Sequence, residues 1–181
     1  IHKPWTRYLM RSTTPPARVV PDLPYLPMVR QMRDAGWVDL SNASVTLSLS
    51  GGTVSLLGTD DAHIFRDRMV APASSWEEPR ALRLGITHAP YTRVVSALTS
   101  EGADLILAGH THGGQIGIPG MGAIITNCDI ARHYAKGLNR WESPDGSQAW
   151  LHVSAGLGTS PHAKVRIATR PEASLIHVHP A

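Results

Sequence analysis

A single cysteine, Cys128, is all the thiol this chain has. That excludes an internal disulfide framework and any thiolate zinc cluster built within one chain. No apolar run approaches the roughly 18 residues of a membrane-spanning helix, and no signal peptide is visible. Lys and Arg are scattered, with no basic run or stripe, so no nucleic-acid partner is expected. An initiating methionine is also missing. The chain opens at Ile1, so a fragment or processed piece is expected, and the lack of a targeting signal says little about location. What is present is ordinary for one globular domain: 181 residues, 42% apolar, 17% charged, with a net charge of +3.

Residues 1–21 are Pro-rich and aperiodic, an irregular lead-in. Asp22 can cap a helix to about Ala35, with Leu26, Val29 and Met32 or Arg33 at helical spacing and Gly36 as terminator. "SVTLSLSGGTVSLLGT" alternates apolar and polar residues on both sides of Gly51-Gly52, which predicts a β-hairpin. "LRLGITH" predicts a strand ending at His88. Residues 91–101 place Val94, Val95, Ala97 and Leu98 on one helix face, and "DLILAG" is the next strand. Four further segments have strand character: "GAIITN", "AWLHVS", "KVRIAT" and "ASLIHV". There is no internal repeat.

The stretch "DLILAGHTHGGQIGIPG" carries the chemistry. A buried strand runs straight into two histidines set among glycines, as if the backbone had to pass close to something. His88 and His110 each follow a strand and lie 22 residues apart, the length of one compact parallel crossover unit. In such a unit both carboxyl ends reach the same sheet edge. Neighbouring strands lie about 4.8 Å apart, so both imidazoles can meet one ion. His112 can reach a second ion beside the first. Neutral imidazoles suit Zn, Fe, Mn or Ni, but three ligands do not complete two sites, and carboxylates must come from elsewhere. Plainer readings exist for each part. One strand-end histidine can be a surface residue, and "GHTHGG" can be a tight turn in which glycine alone matters. The two segments together favour metal.

"GITHAP" followed by "LILAGHTHGGQI" resembles the calcineurin-like metallophosphoesterases, and looks most like their bacterial branch of exported or membrane-associated phosphoesterases. "VSAGLGTS" and "VRIATRPEASLIHV", with Arg170-Pro171-Glu172 before the last strand, resemble the way that branch ends. The resemblance runs from about residue 22 to the end. It implies an α/β fold, a sandwich of two mixed sheets flanked by helices, here incomplete at its amino-terminal side. Residues 1–181 would then be a single domain, the carboxyl-terminal portion of the enzyme. It implies two divalent ions (Mn, Fe, Zn or Ni) that generate a hydroxide for in-line attack on a phosphoester substrate. His88 and His110 would ligate one ion and His112 the other. Around them, Gly109, Gly113 and Gly114 allow close approach and Gln115 can hydrogen-bond to the ligand shell. Thr111 either does likewise or is a turn residue.

The family's Asp-x-His, Gly-Asp and Gly-Asn-His blocks are not present in order. Asp61-Ala62-His63 imitates the first but falls too close to Thr87, behind a hairpin where a first strand should start. It is set aside as an imitation. The Asp60-Asp61 pair either lines the cleft or caps a turn. The leaving-group acid belongs to the missing Asn-His block, so no catalytic residue is named. The expected partner is the missing amino-terminal half or a chain supplying it, and any membrane association would come through an upstream segment. Location stays open between the cytoplasm and the membrane of a bacterium. Two rivals remain: a non-catalytic binding or regulatory remnant, and a mononuclear zinc site of His88, His110 and His112 with an open position. Arg132, Arg140, Arg166 and Arg170 are candidate phosphate partners or plain solvated residues. Cys128 reads as packed, and His133, His152, His162, His177 and His179 as structural or exposed.

Overall fold

The computed structural model describes residues 23–79, 81–119, 122–159 and 165–179. The lead-in, the Asp22 cap and His162 lie outside them. Helix α1 (Leu26–Asp34) starts with a proline in its first turn, where a missing N–H costs nothing, and has no buried residue. The expected hairpin follows as β1 (Ala43–Leu49) and β2 (Gly52–Gly58), antiparallel and in register from Ala43 opposite Gly58 to Leu49 opposite Gly52.

The crossover unit forms as its pattern predicts. Strand β3 (Leu82–Ile86) leads into helix α2 (Thr92–Ser100) and then β4 (Leu105–Ala108), with β3 and β4 parallel neighbours. Helix α2 buries Val94, Val95 and Leu98 of the expected stripe, with Thr99 buried beside them and Ala97 only half-buried. A two-residue pair, β5 (Gly117–Ile118) and β6 (Gly122–Ala123), makes a small second sheet. Strands β7 (Gly137–Glu142) and β8 (Gln148–Val153) complete the main sheet, whose order is β1-β2-β3-β4-β8-β7.

Four adjacent strands of that sheet, β2, β3, β4 and β8, are mutually parallel. Only β1 and β7, at the edges, run the other way. The core lies along this parallel centre, where Leu57, Leu98, Ile106, Leu151 and Val153 are fully buried. Truncation of the central residue, Ile106→Ala, is expected to cost about 2–5 kcal/mol in urea denaturation, because its packed surroundings cannot collapse around the void. Among the described residues no helix is long and apolar enough to cross a membrane.

Two expected strands do not form. Residues 165–169 join no ladder beyond one isolated bridge, Ile167 with Ile116, and residues 173–178 form no ladder. Alternation favours a strand only where a neighbour's amides and carbonyls meet it. "GAIITN" is likewise reduced to Gly122–Ala123. The place beside β8 goes instead to "GLNRWE", which the sequence reading passed over. It pairs with β8 as a local hairpin closed by the turn from Ser143 to Ser147.

Candidate metal centre

Because β2, β3, β4 and β8 are parallel, all four deliver their carboxyl ends to one sheet edge, where sites in such sheets gather. The β3–β4 ladder continues past the strands. Thr87 N–H donates to the Leu107 carbonyl at 3.1 Å and Gly109 N–H to the His88 carbonyl at 3.0 Å, so His88 and His110 emerge side by side. His110 Nδ1 lies 3.3 Å from His88 Nε2, with the rings edge to face at 5.1 Å between centres. Two nitrogen donors about 2.0–2.1 Å from a tetrahedral ion would stand about 3.4 Å apart, with ring centres about 5 Å apart. The observed pair has that spacing.

The electrostatics favour a neutral ligand. Burial, then His63, then His88 lower the His110 pKa to about 4, against a weaker upward pull from the Asn127 backbone and Asp61. At neutral pH the ring therefore carries a lone pair rather than a charge. Its Nε2 is buried and meets no partner within hydrogen-bonding geometry. The backbone is strained at the same place. His110 (φ 66°), His112 (φ 52°) and Gln115 (φ 45°) all occupy the left-handed region that non-glycine residues rarely adopt. Such strain concentrates at functional sites, where packing holds it in place.

His112 turns elsewhere. Burial lowers its pKa first and Arg166 second, a Gly158 backbone hydrogen bond opposes this, and His88 adds to the lowering. His88 thus influences both other histidines. Among the described residues, no three His, Cys, Asp or Glu side chains are gathered as a ready cage for an ion. The residues present fit a divalent ion in donor chemistry and pair spacing, and leave its coordination incomplete.

His63, which the sequence reading set aside, belongs to this edge. Its ring centre is 4.9 Å from that of His110. It arrives there because β2 pairs in parallel with β3, a long-range fact that the Asp-x-His spacing does not contain. The one sequence signal was that His63 closely follows a strand. The Asp60-Asp61 question also resolves. Asp61 caps the short turn Ala62–Ile64 by accepting the His63 N–H at 2.8 Å. Asp60 pairs with Arg66 at 3.1 Å.

Comparison with known proteins agrees with the motifs. The chain is 27% identical over 144 residues to an uncharacterized metallophosphoesterase, YkoQ, of Bacillus subtilis, covering 79% of this chain and 50% of that protein. It is 27% identical over 147 residues to the phosphodiesterase YaeI of Escherichia coli, covering 81% of this chain and 49% of that protein. The chain is thus similar to one protein named a metallophosphoesterase and one named a phosphodiesterase. An uncharacterized Bacillus subtilis protein, YpbG, is 35% identical over 81 residues, 45% of this chain and 30% of its own length. No family model and no solved structure matches. The chain spans about half the length of the first two curated relatives.

The residues around the histidines build the turn. A side chain on Gly114 (φ +80°) would collide with Ala123, and one on Gly113 (φ +66°) would stand 2.6 Å from the Thr169 methyl. One on Gly109 would meet only the His88 carbonyl, at 3.8 Å. What the backbone passes close to at the double glycine is the protein itself. Thr111 is fully buried, donating to the Ala135 carbonyl at 2.7 Å and accepting the Gly113 N–H at 3.2 Å. Gln115 donates its side-chain amide to the Val165 carbonyl at 3.0 Å, fastening the carboxyl-terminal segment to the turn.

Of the candidate phosphate partners, Arg166 spends its guanidinium on carbonyls. It donates to Ala155 at 2.7 Å, to Gly156 at 2.9 Å and to His112 at 3.3 Å, joining the end of β8 to the histidine turn. Arg140 lies over the Trp150 ring at 4.2 Å, and Arg132 and Arg170 are exposed. The Cys128 thiol is packed against the core, and burial pushes it up to about 11, far from a reactive thiolate. His133 packs on Tyr134 with 3.9 Å between ring centres, His177 packs on His179, and His152 is buried on β8.

Proposed function

We propose that this chain supplies the histidine-rich half of a metal-dependent phosphoester hydrolase, as the carboxyl-terminal portion of its catalytic domain. The observation that carries this reading is the His88–His110 pair: 3.3 Å between nitrogens, at the shared ends of parallel strands, on a strained backbone. The names of YkoQ and YaeI, a metallophosphoesterase and a phosphodiesterase, support the reaction class. Two divalent ions, of the Mn, Fe, Zn or Ni kind, would supply Lewis-acid polarisation of a phosphoryl oxygen and a nucleophile at neutral pH.

This chain's own residues hold and orient. His88 and His110 offer ring nitrogens to one ion, and His112, on the far side of the turn, offers one to the second. Thr111, Gly113 and Gly114 fix the turn that separates the two imidazoles, while Arg166 and Gln115 tie it to the rest of the fold. The carboxylates needed to complete the two sites, and the acid for the leaving oxygen, would come from an upstream half or a second chain. The 181-residue chain alone is therefore expected to show no appreciable turnover of bis-p-nitrophenyl phosphate. A protein extended upstream should turn it over, lose activity to chelators and carry two metals. Chelator-sensitive turnover by the short chain alone would show the ligands to be misplaced. One metal, or none, in the extended protein would replace this reading with the mononuclear or the non-catalytic one.

A further inference from the structure

The Asp61-Ala62-His63 turn has no role in the reading above, yet it puts an imidazole against the buried one. We propose that His63 is a third imidazole ligand, joining His88 and His110 around one divalent ion of the borderline kind that nitrogen donors favour. This rests on the reading of the His88–His110 pair as a metal site, and adds to it a residue that the sequence motif excluded.

Geometry carries the inference. His110 stands between two rings at almost equal separations, 5.1 Å to His88 and 4.9 Å to His63. Both match the spacing of about 5 Å between imidazoles sharing a tetrahedral ion. His88 and His110 follow two adjacent parallel strands and His63 lies on the short turn after the third, β2, so the sheet brings all three to one edge. The three are not gathered around a common point as they stand. Bringing His63 in is a matter of its exposed ring turning about the Tyr91 contact, since hydrogen bonds hold the backbone beneath it.

That holding is specific. Asp61 accepts the His63 N–H, the Arg66 N–H donates back to the Asp61 carbonyl at 3.0 Å, and Arg93 donates to the Ala62 carbonyl at 3.0 Å. The ring itself is oriented by Tyr91, whose phenol oxygen lies 2.9 Å from His63 Nδ1. In the tautomer that donates Nδ1–H to that phenol, Nε2 carries the lone pair. This is the arrangement by which metal-ligating histidines are usually fixed. Tyr91 immediately precedes α2 and is half-buried, so it makes a firm post for the ring. Simple ring-on-ring packing is the competing explanation, and it makes a different prediction about a ring without nitrogen.

The test is titration of the metal-free chain with Zn(II) and Co(II), followed by calorimetry and by cobalt absorption. His63→Ala is expected to weaken binding by about 10–100-fold or more and to change the cobalt spectrum. His63→Phe keeps an aromatic ring against His110 and removes the nitrogens, so it should weaken binding as much. Tyr91→Phe, which only frees the ring, should weaken it less. His133→Ala should bind as the unaltered chain does. Unaltered affinity and spectrum in both His63 variants would overturn the assignment while leaving the His88–His110 site standing. An unaltered chain that binds neither ion would remove both.

Discussion

Removing the His110 imidazole is expected to lower the affinity for a divalent ion by more than about 100-fold. Loss of a residue that merely supports a ligand already costs about 10–100-fold, and His110 is the ring on which the other two converge. Alanine adds a complication, because the backbone there is left-handed (φ 66°). His110→Asn avoids it, since asparagine tolerates that region, and it should show the same loss. His112→Ala should abolish binding of a second ion instead, since His112 faces Arg166 and Gly158 across the turn. Calorimetric titration with Zn(II) checks the first claim on this chain. Metal content and phosphodiester turnover of an upstream-extended protein check the second. The exposed His133 and His177 provide the contrast: their alanine variants should change stability by less than about 0.5 kcal/mol and leave metal content alone. Full metal content with near-normal turnover in both His110 and His112 variants would make "GHTHGG" a turn and nothing more.

Gly114→Ala should be the most damaging single methyl that can be added near the site. Two costs add. A non-glycine residue at φ +80° costs about 1–2 kcal/mol, and forcing a methyl into packed atoms costs about 1–3 kcal/mol more. The obstructing atom belongs to Ala123, whose short side chain cannot swing aside. A loss of about 2–5 kcal/mol in urea denaturation is expected. Gly137 shares the same φ of +80° but has nothing within 4 Å of a would-be side chain, so Gly137→Ala should cost only the backbone part. Equal losses in the two variants would show that contact with Ala123 does not shape the turn. A larger loss at Gly114 should also weaken metal binding, because the same turn orients His110 and His112.

Much of the scaffold is local and therefore readable. Alternation around Gly51-Gly52 specifies the hairpin, and the stripe of Val94, Val95 and Leu98 specifies the crossover helix. Short apolar runs ending near His88 and His110 place both imidazoles at one edge, because a crossover of that length yields parallel neighbours. The same residues carried the resemblance that the curated relatives support. The limits of local pattern are equally specific. "ASLIHV" alternates as well as "AWLHVS", yet only the second finds strands on both sides, β4 and β7. "GLNRWE" looks polar and still forms a strand, because a tight turn folds it onto β8.

The histidine site divides in the same way. From the sequence alone came the pair His88 and His110, since each follows its own strand within one contiguous unit. Only the tertiary structure decided that His63 stands against them, that Gln115 and Arg166 serve the turn through backbone carbonyls, and that the double glycine makes room for Ala123 and Thr169. Each of those facts depends on a contact between segments distant in the chain, such as the parallel pairing of β2 with β3. Periodicity reports which face of an element is apolar. Which elements share an edge is settled by backbone hydrogen bonds between strands and by the packing that closes over them.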